Sequence, residues 1–239
     1  MKKHAGYTLV EMVISIAVGL VIIAAIYAVV NVGQRSTVNV ERKVVAHQDA
    51  RAALELMSLE IQMASYNPAR MTNIWVGPGN CTTASVSQGY RGIQAATDSS
   101  ITVEADISGP DVDGDGVGDS DGVIGGSSNE IITYDYDSAN QYLTRSTNCG
   151  GNQPFLGDTA ASGRPRAVRV INTAAVPVFR YFNAQGTEIT AAGLPAGIPN
   201  IARIEITLWV ETEDVDANSG QRRRTVYSTS VIPRNHVIN

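Results

Sequence analysis

The sequence predicts an α+β fold in which one long N-terminal α-helix packs on an antiparallel β-sheet head. Three observations carry that reading. Residues 12–30 form an uncharged apolar run, which at about 1.5 Å per helical residue is long enough for a hydrocarbon core of roughly 30 Å. The helical texture continues past that run, because residues 31–65 hold no proline and Gly33 is their one glycine. Near the other end Ile204, Ile206, Leu208 and Val210 alternate with Glu205, Thr207 and Trp209, the period-two pattern of a sheet with one buried face.

The N-terminal element has an unusual entrance. Glu11 stands at the mouth of the apolar run, and Lys2 and Lys3 precede it, so the positive-inside bias keeps residues 1–6 cytoplasmic and sends the rest outward. A cleavable secretory signal places its small residue after the apolar stretch; here Gly6 comes before it. A plain anchor gives no reason for a carboxylate at the membrane boundary, where a charge without a partner is costly. Glu11 is therefore expected to be functional.

Lys2-Lys3-His4-Ala5-Gly6, followed by Tyr7-Thr8-Leu9-Val10-Glu11, resembles the class III signal of type IV pilins and type II secretion pseudopilins. The resemblance implies that a prepilin peptidase cuts between Gly6 and Tyr7 and that the new N-terminus, Tyr7, is methylated. Tyr7 stands where phenylalanine is usual and keeps the aromatic ring. The resemblance also implies that Glu11 neutralises the N-terminal amine of a neighbouring subunit as an assembly platform builds the filament. Opposite charges that are each expensive in a low-dielectric environment are tolerated as a pair. The chain then divides into a cleaved leader, residues 1–6, a helix over 7–66 with 7–30 as membrane span and filament core, and a head over 67–239.

Composition bounds the remainder. With 239 residues, 44% of them hydrophobic, there is room for the helix and one head domain of ordinary size. The net charge of −5 becomes more acidic once Lys2 and Lys3 leave with the leader, so neither nucleic acid nor an anionic membrane surface is favoured as the main partner. Cys81 and Cys149 both fall in the part expected to face an oxidising compartment; a disulfide is the expectation, with two free thiols as the alternative. Two such distant cysteines with His4, His47 and His236 do not make a zinc site.

Beyond the membrane span, Ala50, Ala53, Leu54, Met57, Ile61 and Ala64 share one helix face. Val45, Ala52, Leu56, Leu59 and Met63 make a second apolar stripe. A helix apolar around so much of its girth needs covering on two sides: one face suits the head, the other neighbouring subunits. Pro68, after Asn67, is expected to end it. Strands are expected over 101–104, 131–136, 142–144, 168–170, 176–182, 201–210 and 225–232, with residues 137–140 as a hairpin turn. Pro177 confines its strand to an edge or a strand start, and residues 211–224 form a long polar turn.

This order matches the pilin fold. The segment Met63-Ala64-Ser65-Tyr66-Asn67-Pro68, an acidic loop before Glu130-Ile131-Ile132-Thr133-Tyr134, and an Arg-rich closing hairpin ending Val231-Ile232-Pro233-Arg234-Asn235 resemble PilW-type minor pilins, whose head resembles that of J-type minor pseudopilins.

The acidic loop, residues 106–122, carries its own chemistry. Asp111, Asp113, Asp115 and Asp119 stand at relative positions 1, 3, 5 and 9, with Gly116 at position 6, matching the first part of a calcium loop in which alternate side chains turn inward. Val117 and Asp121 complete the candidate metal set, through a backbone carbonyl and a carboxylate. The stretch resembles the calcium loops of thrombospondin type 3 modules; it departs from an EF-hand at Gly122, where a bidentate glutamate would stand, so Asp121 or Glu130 has to close the shell. Eleven acidic residues and no lysine or arginine lie between Arg91 and Arg145, and so many like charges are costly without a counterion. Calcium is favoured over magnesium, which prefers a tighter octahedron. A solvated acidic turn is the competing reading.

Arg164, Arg166 and Arg169 form one basic cluster and Arg222, Arg223 and Arg224 another. Neither interleaves aromatics for base stacking; docking on an acidic neighbour or capture of an anionic ligand such as DNA competes with simple solvation. No nucleophile elbow, phosphate loop or His-Glu-x-x-His motif occurs, so an enzyme is not expected. The sequence thus points to a minor type IV pilin that initiates, primes or caps a filament, first held in the inner membrane with a periplasmic head and then displayed outside the cell at the filament tip. A minor pseudopilin of type II secretion is the first alternative, and a calcium-dependent adhesin at a filament tip the second.

Overall fold

The computed structural model describes residues 8–79, 81–114, 118–125, 129–157, 166–216 and 219–236. Helix α1 spans Leu9–Gln62 without interruption and is long and apolar enough to cross a membrane near its N-terminal end. Helical dihedrals end earlier than residue 66. Met63 is the C-cap, and Ser65 takes a left-handed φ of 67°, which lets its backbone N–H donate to the Glu104 carbonyl at 2.8 Å. The head claims that N–H before Pro68 can act, so a tertiary hydrogen bond sets the boundary.

Ten strands follow. Strands β1 Ile93–Ala96, β2 Ser100–Glu104, β3 Ile131–Asp137, β4 Tyr142–Thr147 and β5 Gln153–Leu156 form one antiparallel sheet in chain order. The β3–β4 hairpin turns at the expected place: the Asp137 carboxylate accepts from the N–H groups of Ala139 and Asn140, both at 2.9 Å. Strands β6 Val168–Val170, β7 Phe179–Phe182, β8 Glu188–Ile189, β9 Arg203–Thr212 and β10 Arg224–Val231 form the second sheet, in the order β10-β9-β7-β8 with β6 also on β9. A short helix, α2, spans Leu194–Gly197.

Strand β7 begins at Phe179 and not at 176, because Pro177 has no N–H to give a ladder. The sequence reading omitted β1, β5 and β8. They are short, β5 carries Pro154, and β1 reads Ile-Gln-Ala-Ala with little β-branched signal.

One main core joins helix and sheets. Ala46, Ala50, Ala53, Met57, Ile61 and Ala64 of the α1 segment pack with Ile101, Tyr134, Leu143, Phe179, Ile204, Ile206 and Leu208. Small alanines on the helix let it lie close to the sheet, while each fully buried large side chain contributes about 1.5–3 kcal/mol. A smaller cluster of Ile74, Trp75, Val76, Cys81, Ile124 and Ile131 lies apart from it. Because Ile131 belongs to this cluster and its neighbour Ile132 to the main core, the two clusters occupy opposite faces of β3.

Candidate functional site

The entrance to α1 is built by two side chains. The Thr8 hydroxyl accepts from the Glu11 N–H at 3.3 Å, and the Glu11 carboxylate accepts from the Thr8 N–H at 2.9 Å and from its hydroxyl at 3.0 Å. This is a capping box, in which each partner satisfies a donor that the first helical turn leaves open. The expected cleavage pair, Gly6 and Tyr7, lies outside the described residues.

Along α1 the two apolar faces have different fates. Ala50, Ala53, Met57 and Ile61 are buried against the head, whereas Val45, Leu56, Leu59 and Met63 are between 39% and 55% exposed. The exposed stripe lies on the same helix as the apolar run, none of which is buried in the single chain. Polar contacts also hold the helix on the head. The Glu60 carboxylate receives Arg145 through Nε at 3.1 Å and Nη2 at 2.6 Å, and it also accepts from the Tyr134 hydroxyl. Burial, and then the Glu60 carboxylate, push the Tyr134 hydroxyl well above the usual tyrosine range. Farther up, His47 Nδ1 meets the Tyr227 hydroxyl of β10.

In the acidic loop, one carboxylate oxygen from each of Asp111, Asp113 and Asp119 lies within 4.8 Å of the others. Bends made by side chains bring them together: Asp111 accepts from the Gly114 N–H at 2.6 Å, and Asp119 from the Val112 N–H at 2.9 Å. Gly114 has φ 80°, where a Cβ would be strained. Asp115 and Val117 lie outside the described residues. Asp121 converges instead with Asp106 and Glu130, two residues that are essentially fully buried. Asp106 accepts from the N–H groups of Asp121 and Gly122, each at 3.1 Å. Burial pushes its carboxyl up, those two N–H groups oppose this, and the Asp121 charge adds to it. The single loop read from sequence is thus two carboxylate clusters in space.

The described arginines of both basic clusters are paired within the chain, five of them with three carboxylates. Arg166 and Arg169 both grip Glu213, whose carboxyl is held down to about 2, chiefly by hydrogen bonds from Arg169 working against burial and with those from Arg166. Arg222 and Arg224 pair with Glu211, and Arg223 with Asp216. Arg164 lies outside the described residues.

Three further features rest on long-range contacts. Cys81 and Cys149 form a disulfide, with Cα atoms 5.7 Å apart. His236 is wholly buried; its Nε2 donates to the Ile198 carbonyl at 2.8 Å, so its Nδ1 accepts from the Ser65 hydroxyl at 2.8 Å. Glu104 is wholly buried at the end of β2. Its Oε2 accepts from the Val76 N–H at 3.0 Å, and its Oε1 has no hydrogen-bond partner among the described residues. The one sequence signal for Glu104 is its place at the end of the run Ile101-Thr102-Val103-Glu104, and nothing local marked His236.

Residues 1–27 match the family model described as the prokaryotic N-terminal methylation motif. The match supports a type IV pilin-like signal at this end of the chain, one that implies processing by a prepilin peptidase, membrane anchoring and assembly with other pilins. No curated protein matches the chain. No solved structure matches it either.

Proposed function

We propose that this chain is a minor type IV pilin, a structural subunit that helps initiate, prime or cap a filament. The observation that carries the reading is the continuity of a methylation motif with a helix of two faces. Residues 1–27 match the motif; the helix that follows buries Ala50, Ala53, Met57 and Ile61 on its own head and leaves Val45, Leu56, Leu59 and Met63 uncovered. An apolar stripe on the same helix as a membrane segment is suited to packing against a neighbouring helix once the subunit leaves the bilayer. A pseudopilin of type II secretion rests on the same features.

Mass spectrometry of the processed chain is the first test, with Tyr7 as a methylated N-terminus as the expected result. An intact leader in mature filaments sinks the reading. Deleting the chain separates the two machines: loss of surface filaments supports the pilin, and loss of protein secretion with filaments intact supports the pseudopilin.

We also propose that the acidic loop holds calcium. The convergence of Asp111, Asp113 and Asp119 supports it, since a hard cation takes oxygen ligands and offsets their mutual repulsion. A filament tip that binds surfaces through this loop is the adhesin form of the proposal. Its test is attachment of intact filaments with and without calcium.

A further inference from the structure

Residues 74–79 and 81–85 form a strap over the outer face of the first sheet. Ile74, Trp75, Val76 and Cys81 cover Ile131 there. Several hydrogen bonds run within the strap and to its flank. Ser85 N–H donates to the Trp75 carbonyl at 2.8 Å and Gly77 N–H to the Thr83 carbonyl at 2.9 Å, while Gln88 bonds both backbone groups of Trp75. One covalent tether, Cys81 to Cys149, fixes one point of it. A polar tether to β2 is the Val76 N–H on Glu104.

That tether ends on a carboxyl group with no counter-charge among the described residues. The strap brings no ionisable side chain except Cys81, which is spent in the disulfide. The charged side chains of the adjoining segments are engaged elsewhere: Arg91 donates to the His236 carbonyl, Asp106 binds the N–H groups of Asp121 and Gly122, and Glu130 those of Ser108 and Gly125. Ser65, which meets β2 through its N–H, is neutral, and β3 offers Ile131.

We propose that the strap is a pH-sensitive closure, shut over a neutral Glu104 and released when Glu104 ionises, which uncovers Ile74, Trp75, Val76 and Ile131. An orphaned oxygen in an apolar pocket costs least when the carboxyl keeps its proton. Burial pushes Glu104 from 4.5 up to about 8, against the smaller effect of the Val76 N–H. A raised folded-state value means that closing is most favourable below the ordinary carboxyl range. Opening then releases a proton throughout the window between the two values, and the pH dependence ends above about 8. The disulfide limits how far the strap swings, so the device is a local flap and not an unfolding of the head. It stands independently of the pilin reading.

Hydrogen exchange on the full chain in detergent tests it. In the wild type, protection factors of the strap amides should fall about tenfold per pH unit from about pH 5 to about pH 8 and level off above. Glu104→Gln, which fills the same space without ionising, should hold them constant across that window. A flat wild-type profile, or the same slope in Glu104→Gln, overturns the proposal. So does protection over residues 204–210 no larger than that of the strap, since equal protection marks one global opening and not a local flap.

Discussion

The Glu11 carboxylate closes on Thr8, accepting from its N–H at 2.9 Å and its hydroxyl at 3.0 Å. The acid at the mouth of the membrane segment therefore has a structural task in the single chain, besides the assembly contact proposed for it. The two tasks separate chemically, because glutamine also serves at the third position of a capping box, while it cannot neutralise an amine.

Glu11→Gln should leave the start of the helix and leader processing intact and should reduce incorporation into filaments by about tenfold or more, through loss of the charge pair. Glu11→Ala removes both tasks and should also fray the first turn. Counting subunits in purified filaments by quantitative mass spectrometry checks the first. Normal incorporation of the Gln variant would show that the charge is not the assembly contact.

Calcium should raise the melting temperature of the full chain in detergent, because only the folded loop brings Asp111, Asp113 and Asp119 together. Magnesium should do less at equal concentration. Replacing Asp113 and Asp119 by Asn should remove most of the increment and leave the calcium-free melting temperature unchanged or higher. Calorimetry that detects no binding at millimolar calcium rejects the site.

His236 should set the acid limit of stability. Burial, helped by the Arg91 charge and opposed by the hydrogen bond to Ile198, lowers it from 6.5 to about 4. The neutral ring is the form that fits, so its contribution is complete above about 6.5 and is lost as pH falls toward about 4, a loss on the order of 3 kcal/mol. In urea titrations at a series of pH values the stability difference between the wild type and His236→Leu should widen as pH rises from about 4 to about 6.5, the opposite linkage of Glu104 being common to both chains. Equal slopes would remove His236 from the account.

Glu60→Ala should destabilise the helix–head junction by about 2 kcal/mol, because it strands the Arg145 guanidinium and the Tyr134 hydroxyl where both are largely covered. The double change Glu60→Met with Arg145→Met should cost less than the single one, since no lone charge is left. The two midpoints of denaturant unfolding decide it. A double variant less stable than the single would mean that the pair contributes directly.

What the sequence determined by itself is the part governed by local period. The apolar run, the two stripes of α1, the alternation along β9 and the Asp137 turn all follow from backbone repeats of 3.6 and 2 residues and from side chains that bond within a few positions. The methylation motif is local too. Tertiary structure alone decided which of those faces met what. It ended α1 at Gln62 by lending Ser65 the Glu104 carbonyl. It drew Asp121 away from its sequence neighbours to Asp106 and Glu130, closed both arginine clusters on acids brought over from β9 and the turn after it, and sealed His236 against Ser65 across 171 positions. Such partners are chosen by sheet order and register, which no short window of sequence encodes, and burial then gives Glu104 and His236 properties that their residue types alone do not have.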